Sequence, residues 1–257
     1  MLLLTLFACD GDGPVNPGTP LPDDILTEVW EVDGLSWDLG VRDGQLLSTT
    51  QFGGQIWGWD GSDEEQVGDR LGEVQAVAVD GDTVYFTVTD SGMTGFVARL
   101  DDVRKFTVLA DSGDGGLPMR RPEDLVLGPD GALYVADPGA EAVWRVETDG
   151  SSAKIVTRDI EALSVGFHAQ QLHYGTPDGV YAWDDGTESA ITVHDFPGWG
   201  LLSDEGALLV GSEGGVYEDG DLIAPTDEGM RLASMVRWDN EVYVTDQGQG
   251  SVWSFKR

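Results

Sequence analysis

The 257-residue sequence predicts an all-β protein, a six-bladed β-propeller with four-stranded blades. Three observations lead there. First, a strand anchored on an apolar residue recurs at Leu46, Val84, Leu133, Leu172, Leu208 and Val242, at intervals of 38, 49, 39, 36 and 34 residues. A period of about forty built only from strands and turns marks propeller blades. Second, each anchor strand is followed by a strand with an apolar–aromatic pair: Ile56-Trp57, Val143-Trp144, Val180-Tyr181, Val216-Tyr217 and Val252-Trp253. The blade at Val84 departs, with Phe96-Val97 in that place. Third, no amphipathic helical stretch of useful length interrupts the pattern.

The elements follow in chain order. Residues 1–8 read as a signal peptide, shorter at its start than usual because no basic segment precedes the apolar run. "MLLLTLFAC" ends on Leu6-Phe7-Ala8-Cys9, which resembles a bacterial lipobox. That resemblance implies cleavage before Cys9 and lipidation of its sulfur, leaving the chain at the cell envelope, on membranes through the lipid anchor alone. Residues 9–26 are the lipidated Cys and a Gly/Pro/Asp linker with almost nothing to bury. Residues 27–257 form the propeller.

Each blade reads as inner strand, turn, anchor strand, turn, aromatic strand and a looser fourth strand. The inner strands contain "LGV", "AVAV", "LVL", "LSV", "LL" and "SMV". Both faces of a middle strand in a packed blade are buried, so strands such as "LYVAD" and "VYVTD" need not alternate with polar residues. The sixth blade has only three strands before the sequence stops. "TEVWEV", Thr27–Val32, stands alone before blade one. It is therefore expected to join the C-terminal blade as its outermost strand and close the ring.

Lys+Arg is 14 against 47 Asp+Glu, a net charge of −33. A surface this acidic repels nucleic acid and anionic lipid, so neither is an expected partner. The acidity reads first as a solvated surface and second as a means of binding Ca²⁺ or a cationic ligand. A single cysteine excludes an intrachain disulfide, and nothing in the pattern calls for more than a monomer.

The stretch "RRPEDLVLGPDGALYVADPGAEAVWRVETDG", residues 120–150, resembles the NHL-repeat propellers. Its core, "RPEDLVLGPDGALYVADPG", is also similar to the six-bladed gluconolactonase-like family, whose members typically carry Arg-Pro-Asn-Asp there. In that family the Asn is a metal ligand at the channel mouth; the matching residue is Glu123, and a carboxylate can replace an amide oxygen around a hard cation. "VDGLSWD", Val32–Asp38, resembles the family's opening Glu-Gly-Pro-x-Trp. Asp33 takes the place of the ligand Glu, and Trp37 keeps the aromatic. The resemblance thus implies Ca²⁺ or another divalent cation on Glu123 and Asp33. The family's late Asp ligand has no match. The corresponding inner-strand positions hold Glu161, Trp199 and Arg231, which with Trp37 are expected to line the channel mouth. An arginine there opposes a divalent cation.

Other chemistry is sparse. His168, His173 and His194 lack metal-binding spacing, and there is no nucleophile elbow or dinucleotide-binding glycine pattern. Trp57, Trp144, Trp183 and Trp253 recur at blade positions and read as packing. Asp137 and Asp246 end their anchor strands and read as structural, accepting backbone N–H bonds in the following turn. Asp124 is expected to turn into its blade while Glu123 faces the axis, because successive strand residues point opposite ways.

Two functions stand open. One is an envelope-anchored binding or scaffold module that presents its channel mouth to a protein, peptide or glycan. The other is a metal-dependent lactonase, in which the cation polarises an ester carbonyl and activates water.

Overall fold

The structure, a computed structural model, describes residues 25–32, 36–50, 53–90, 94–113, 116–226 and 230–257. Cys9, Asp33 and linker residues 10–24 lie outside the described residues. Strand β1 (Thr27–Glu31) comes first. Blade one follows, with β2 (Ser36–Arg42), β3 (Gln45–Thr50), β4 (Gln55–Trp59) and β5 (Glu64–Gly68). Blade two holds β6 (Glu73–Asp80), β7 (Thr83–Thr89), β8 (Gly95–Asp102) and β9 (Lys105–Ala110). Blade three holds β10 (Asp124–Leu127), β11 (Leu133–Asp137), β12 (Ala142–Val146) and β13 (Ala153–Arg158). Blade four holds β14 (Ser164–His168), β15 (Gln171–Gly175), β16 (Val180–Asp184) and β17 (Ser189–His194). Blade five holds β18 (Gly200–Asp204), β19 (Ala207–Ser212), β20 (Gly215–Glu218) and β21 (Asp221–Pro225). Blade six holds β22 (Leu232–Trp238), β23 (Glu241–Asp246) and β24 (Ser251–Lys256).

Six antiparallel sheets of four strands result, the sixth ordered β1-β24-β23-β22. Each predicted anchor lies in the second strand of its blade, and each aromatic pair in the third. The N-terminal strand closes the ring as expected, with Thr27 opposite Ser254 and Glu31 opposite Ser251. Trp30 completes the seal. It is buried, its ring stacks on Trp59 of blade one at 5.7 Å, and its indole N–H donates to Glu64.

The core is divided among the joints between blades. Leu47 and Ile56 pack on Val77 and Phe86 between blades one and two; Tyr85 and Val97 pack on Leu125 and Trp144 between two and three. Val143 meets Val165 and Tyr174 between three and four, and Val180 meets Val210 between four and five. Leu209 and Val216 meet Met235 and Phe255 between five and six; Trp30 and Tyr243 meet Leu39 and Leu46 where six meets one. A fully buried Phe or Leu contributes about 1.5–3 kcal/mol, so each joint is a core in its own right.

Turn chemistry follows the sequence. Asp43-Gly44, between β2 and β3, has both residues at positive φ, 49° and 79°, the conformation a two-residue hairpin favours. Gly200 serves close approach, since a side chain there would collide with the carbonyl oxygen of Ala233 in blade six.

Candidate functional site

The site is the central channel, lined by the inner strands β2, β6, β10, β14, β18 and β22. An inner strand is the edge of its blade. It turns backbone N–H and C=O groups toward the axis, and its side chains lean into the joints on either side. Its register comes from the residue three places after each anchor. Thr49 Oγ1 accepts from the N–H of Asp38 at 3.0 Å, Thr87 Oγ1 from Ala76 at 3.0 Å, and Thr245 Oγ1 from Ser234 at 3.1 Å. In the other blades Asp124 pairs with Ala136, Ser164 with Gly175 and Gly200 with Gly211. One ring position is therefore held by Asp38, Ala76, Asp124, Ser164, Gly200 and Ser234.

Three of these side chains accept from a backbone N–H of the next blade, and a fourth, Ser164, donates its hydroxyl to the carbonyl of Gly198 just ahead of blade five, at 3.0 Å. Asp38 Oδ2 accepts from the N–H of Val77 at 2.6 Å, Asp124 Oδ2 from Val165 at 2.7 Å, and Ser234 Oγ from Leu39 at 3.1 Å. They stitch blade one to two, three to four, and six to one. Asp124 also accepts from the N–H of Leu125 at 2.8 Å. It accepts backbone N–H groups as expected, but it does not turn into its own blade: it lines the channel beside Glu123. Alternation of side chains separates two sides of a strand. When the strand presents its edge to the axis, both sides border the channel.

Above this ring lies the mouth, a cavity of about 280 Å³. Trp37, Glu123, Glu161, Trp199 and Arg231 all line it, together with Arg121 and Gln247. Below the ring the channel continues as a space of about 500 Å³ bordered by all six inner strands. A larger hollow of about 860 Å³ lies at the other end of the molecule, between blades three and four. It is set among hairpin turns, away from where the blades converge, and the polar groups of the mouth do not reach it.

The repeated aspartates hold the mouth in place. Asp137 accepts from the N–H groups of Arg120 at 2.9 Å, Arg121 at 2.8 Å and Ala140 at 2.9 Å. Asp246 accepts from Arg231 at 3.1 Å and Gly248 at 2.8 Å. They bind the following turn, as the sequence suggests, and they also fix the backbone of the two mouth arginines. Glu123 and Trp199 are set by N–H bonds to the carbonyls of Ala136 and Gly211, both 2.9 Å.

The charges interlock. Arg121 Nε lies 2.8 Å from Glu123 Oε1, an ion pair in which the N–H is not aimed at the oxygen. The Arg231 guanidinium lies over Trp199, 4.2 Å from the ring centroid, and reaches Glu213 at 3.9 Å. Such a stack contributes about 0.5–2 kcal/mol. Burial pushes Glu123 up to about 7; the attraction of Arg121 works against this, and Asp137, Glu161 and Asp124 add to it. Burial also pushes Asp124 up to about 6. Asp38 is held well above the usual carboxylate range by burial first and by Asp124 second, against its hydrogen bonds.

These residues do not make a cation cage. Among the described residues no group of three or more His, Cys, Asp or Glu side chains is placed to hold a metal. Glu123 already faces Arg121, and Arg231 brings a second guanidinium to the same mouth. Asp38 and Asp124 are engaged by backbone N–H groups. The described donors by themselves therefore do not suit Ca²⁺, which takes six to eight oxygens, and Asp33, the other expected ligand, lies outside the described residues. The histidines are dispersed too: His168 meets Ser203 at 3.2 Å and His173 at 5.8 Å, while His194 stacks on Phe196. Sequence reading missed Asp38, Arg121 and Gln247. The signal for Asp38 was partial, since it stands eight residues before its anchor Leu46 while Asp124 stands nine before Leu133.

No family model and no curated protein matches the sequence. Solved structures do. A gluconolactonase from Xanthomonas campestris superposes with a TM-score of 0.73 at 19% identity, covering 90% of this chain and 89% of that one. The PQQ-bound aldose sugar dehydrogenase of Streptomyces coelicolor gives a TM-score of 0.69 at 13% identity, over 90% and 97%. The extracellular domain of a hybrid two-component system from B. thetaiotaomicron gives 0.62 at 15% identity, over 86% of this chain and 32% of that one. The chain is thus a six-bladed propeller whose structural neighbours include gluconolactonase, a sugar dehydrogenase and extracellular domains. At these identities the likeness is one of fold.

Proposed function

We propose that the protein is a binding module whose channel mouth receives a small polar group displayed by a glycan, a peptide or a protein. One observation carries this reading. Two indoles, two guanidinium groups and four carboxylates (Asp38, Glu123, Asp124 and Glu161) converge on about 280 Å³, the volume of a single sugar ring or a chain end rather than a large ligand. Flat indole faces pack against a sugar ring or an apolar side chain, and the charged groups hydrogen-bond hydroxyls and termini. A net charge of −33 argues against nucleic acid as the partner. The resemblance of the stretch ending in Cys9 to a lipobox supports attachment to the bacterial cell envelope through lipid, and we propose that the propeller acts as a monomer. Cys9→Ala should leave an unprocessed or soluble product; a variant that is processed and fractionates like wild type ends the anchoring proposal. For the mouth, calorimetry with a panel of monosaccharides and short peptides should find a ligand whose binding is lost in Trp199→Ala and weakened about ten-fold in Glu161→Gln. A ligand insensitive to both variants binds elsewhere, and the reading fails.

A second reading is hydrolysis of a lactone or ester, with Glu123 taking a proton from water. It is favoured by a carboxyl poised near neutral pH in the cavity and by the likeness to a gluconolactonase. Lactone turnover by wild type that disappears in Glu123→Gln would support it. Turnover that survives in that variant removes it.

A further inference from the structure

The outermost strands of the blades are six exposed sheet edges, and five are guarded. β5 carries Glu64 and Glu65, β9 carries Lys105, and β13 carries Lys154 and Arg158. β21 begins with Asp221 and ends with Pro225, and β1 carries Glu28 and Glu31. Charges and proline are the means by which sheet edges avoid pairing with other chains. β17 has neither. Its sequence is Ser-Ala-Ile-Thr-Val-His, and the five residues before His194 are all exposed. Ile191 is 56% exposed and Val193 39%, the latter at the bulge where the register with β16 shifts. Among the outer strands of the described residues, β17 alone has neither a Lys, Arg, Asp or Glu nor a proline.

The ends of this strand are acidic. Asp184, Asp185 and Glu188 precede it and Asp195 follows it, the last three exposed. This arrangement selects the occupant. Two copies of the chain pairing through β17 in antiparallel fashion would bring the Glu188 end of one against the Asp195 end of the other, twice over. They would also join two bodies of charge −33. Like charges in facing positions destabilise a strand pair. A strand with lysine or arginine at each end and β-branched residues between meets the same edge with opposite charges.

We infer that β17 is an open pairing edge that accepts, by strand addition, an extended segment of another polypeptide with basic ends and a β-branched, uncharged middle. Backbone hydrogen bonds along the edge give the affinity, Ile191 and Val193 give the apolar contact, and Glu188 and Asp195 set the charge preference. This surface lies on the outside of blade four and does not depend on what the channel mouth binds.

The test uses a labelled eight-residue peptide of alternating Thr and Val with Lys at both ends, added to the full chain and followed by fluorescence anisotropy at low salt. A control keeps both lysines and replaces two central residues by Pro, which cannot donate to a ladder. Wild type should bind the first peptide at least about ten-fold more tightly than the control. Ile191→Lys, an exposed change that should leave the melting temperature in place, should weaken binding by a similar factor, and Val193→Lys should do the same. Equal binding of the two peptides would mean attraction by charge alone and overturns the inference, as does no binding at all. A dimer seen by sedimentation and lost in Ile191→Lys assigns the edge to a second copy and overturns the choice of partner.

Discussion

Asp38 and Asp124 perform the same act in blades one and three. Each sits at the same ring position of its inner strand and passes one carboxylate oxygen to a backbone N–H of the next blade, Val77 at 2.6 Å and Val165 at 2.7 Å. Asp124 also raises the cost of ionising Asp38, for both are buried in one channel. The joints they hold are gained at the expense of two carboxyls that resist ionisation.

Removing one of these stitches should be felt by the whole ring. Asp124→Ala leaves the N–H groups of Leu125 and Val165 without their acceptor, and stability should fall by about 1–3 kcal/mol. Ser234→Ala removes a single neutral bond to Leu39 and should cost about 0.5–1.5 kcal/mol. Urea unfolding of the two variants beside wild type measures both, and an Asp124→Ala variant as stable as wild type contradicts the stitching role.

Glu123 makes stability depend on pH in a stated direction. Its carboxyl titrates at about 7 in the folded chain against an ordinary value of 4.5, so the folded state holds the proton more firmly than the unfolded state. The contribution of that proton is complete below the ordinary value and is lost as pH rises through 7. Glu123→Gln keeps the shape and cannot ionise. It should melt higher than wild type at about pH 8, by no more than about 3 kcal/mol, and the difference should shrink toward about pH 4. Melting curves across that range decide it; a difference that grows toward acid pH reverses the assignment.

The mouth as built should not respond to divalent cations. A ligand that binds only the folded chain raises its melting temperature, so wild type with Ca²⁺ in excess should melt as it does with chelator. A rise of several degrees that vanishes in Glu123→Gln would mean that Asp33 and Glu123 complete a metal site after all.

Trp30 carries the ring seal. It is 5% exposed, stacked on Trp59 and bonded to Glu64. Trp30→Ala should cost about 3–5 kcal/mol, the range for emptying a buried tryptophan site. Trp30→Phe should recover part of that. Calorimetry on both variants checks the order.

The blades were legible in the sequence because both strands of each central hairpin are buried on two faces, so their apolar runs repeat whatever the loops do. Leu46 and Val242 stand at equivalent places in blades that share no loop sequence. The closing strand was legible for a simpler reason: Thr27–Val32 had strand character and no partner nearby, and the last blade lacked one strand. The mouth was read in part. Trp37, Glu161, Trp199 and Arg231 stand at inner-strand starts, which the repeat locates, and they do line the cavity. Arg121 was missed although it stands three residues ahead of β10, as Glu161 does ahead of β14; Gln247 was missed because it lies in the turn after β23, where the period carries no register. The orientation of Asp124 was misread because face and edge are indistinguishable in a sequence. The open edge at β17 was also unread, since an uncharged strand among buried ones looks ordinary until its exposure is known.

The pairing of β1 with β24 joins Thr27 to Ser254, the widest sequence separation of any strand pair in the molecule. The entropy lost in closing a loop grows with its length, and contacts between distant segments are the slow ones in folding. Blades one to five are each made of consecutive hairpins and can form locally. The seam at blade six is therefore the late event, and until it closes the chain is an open arc with β24 bare along one side. Refolding should show a slow phase that reports on Trp30, and the same seam sets how readily the native ring reopens.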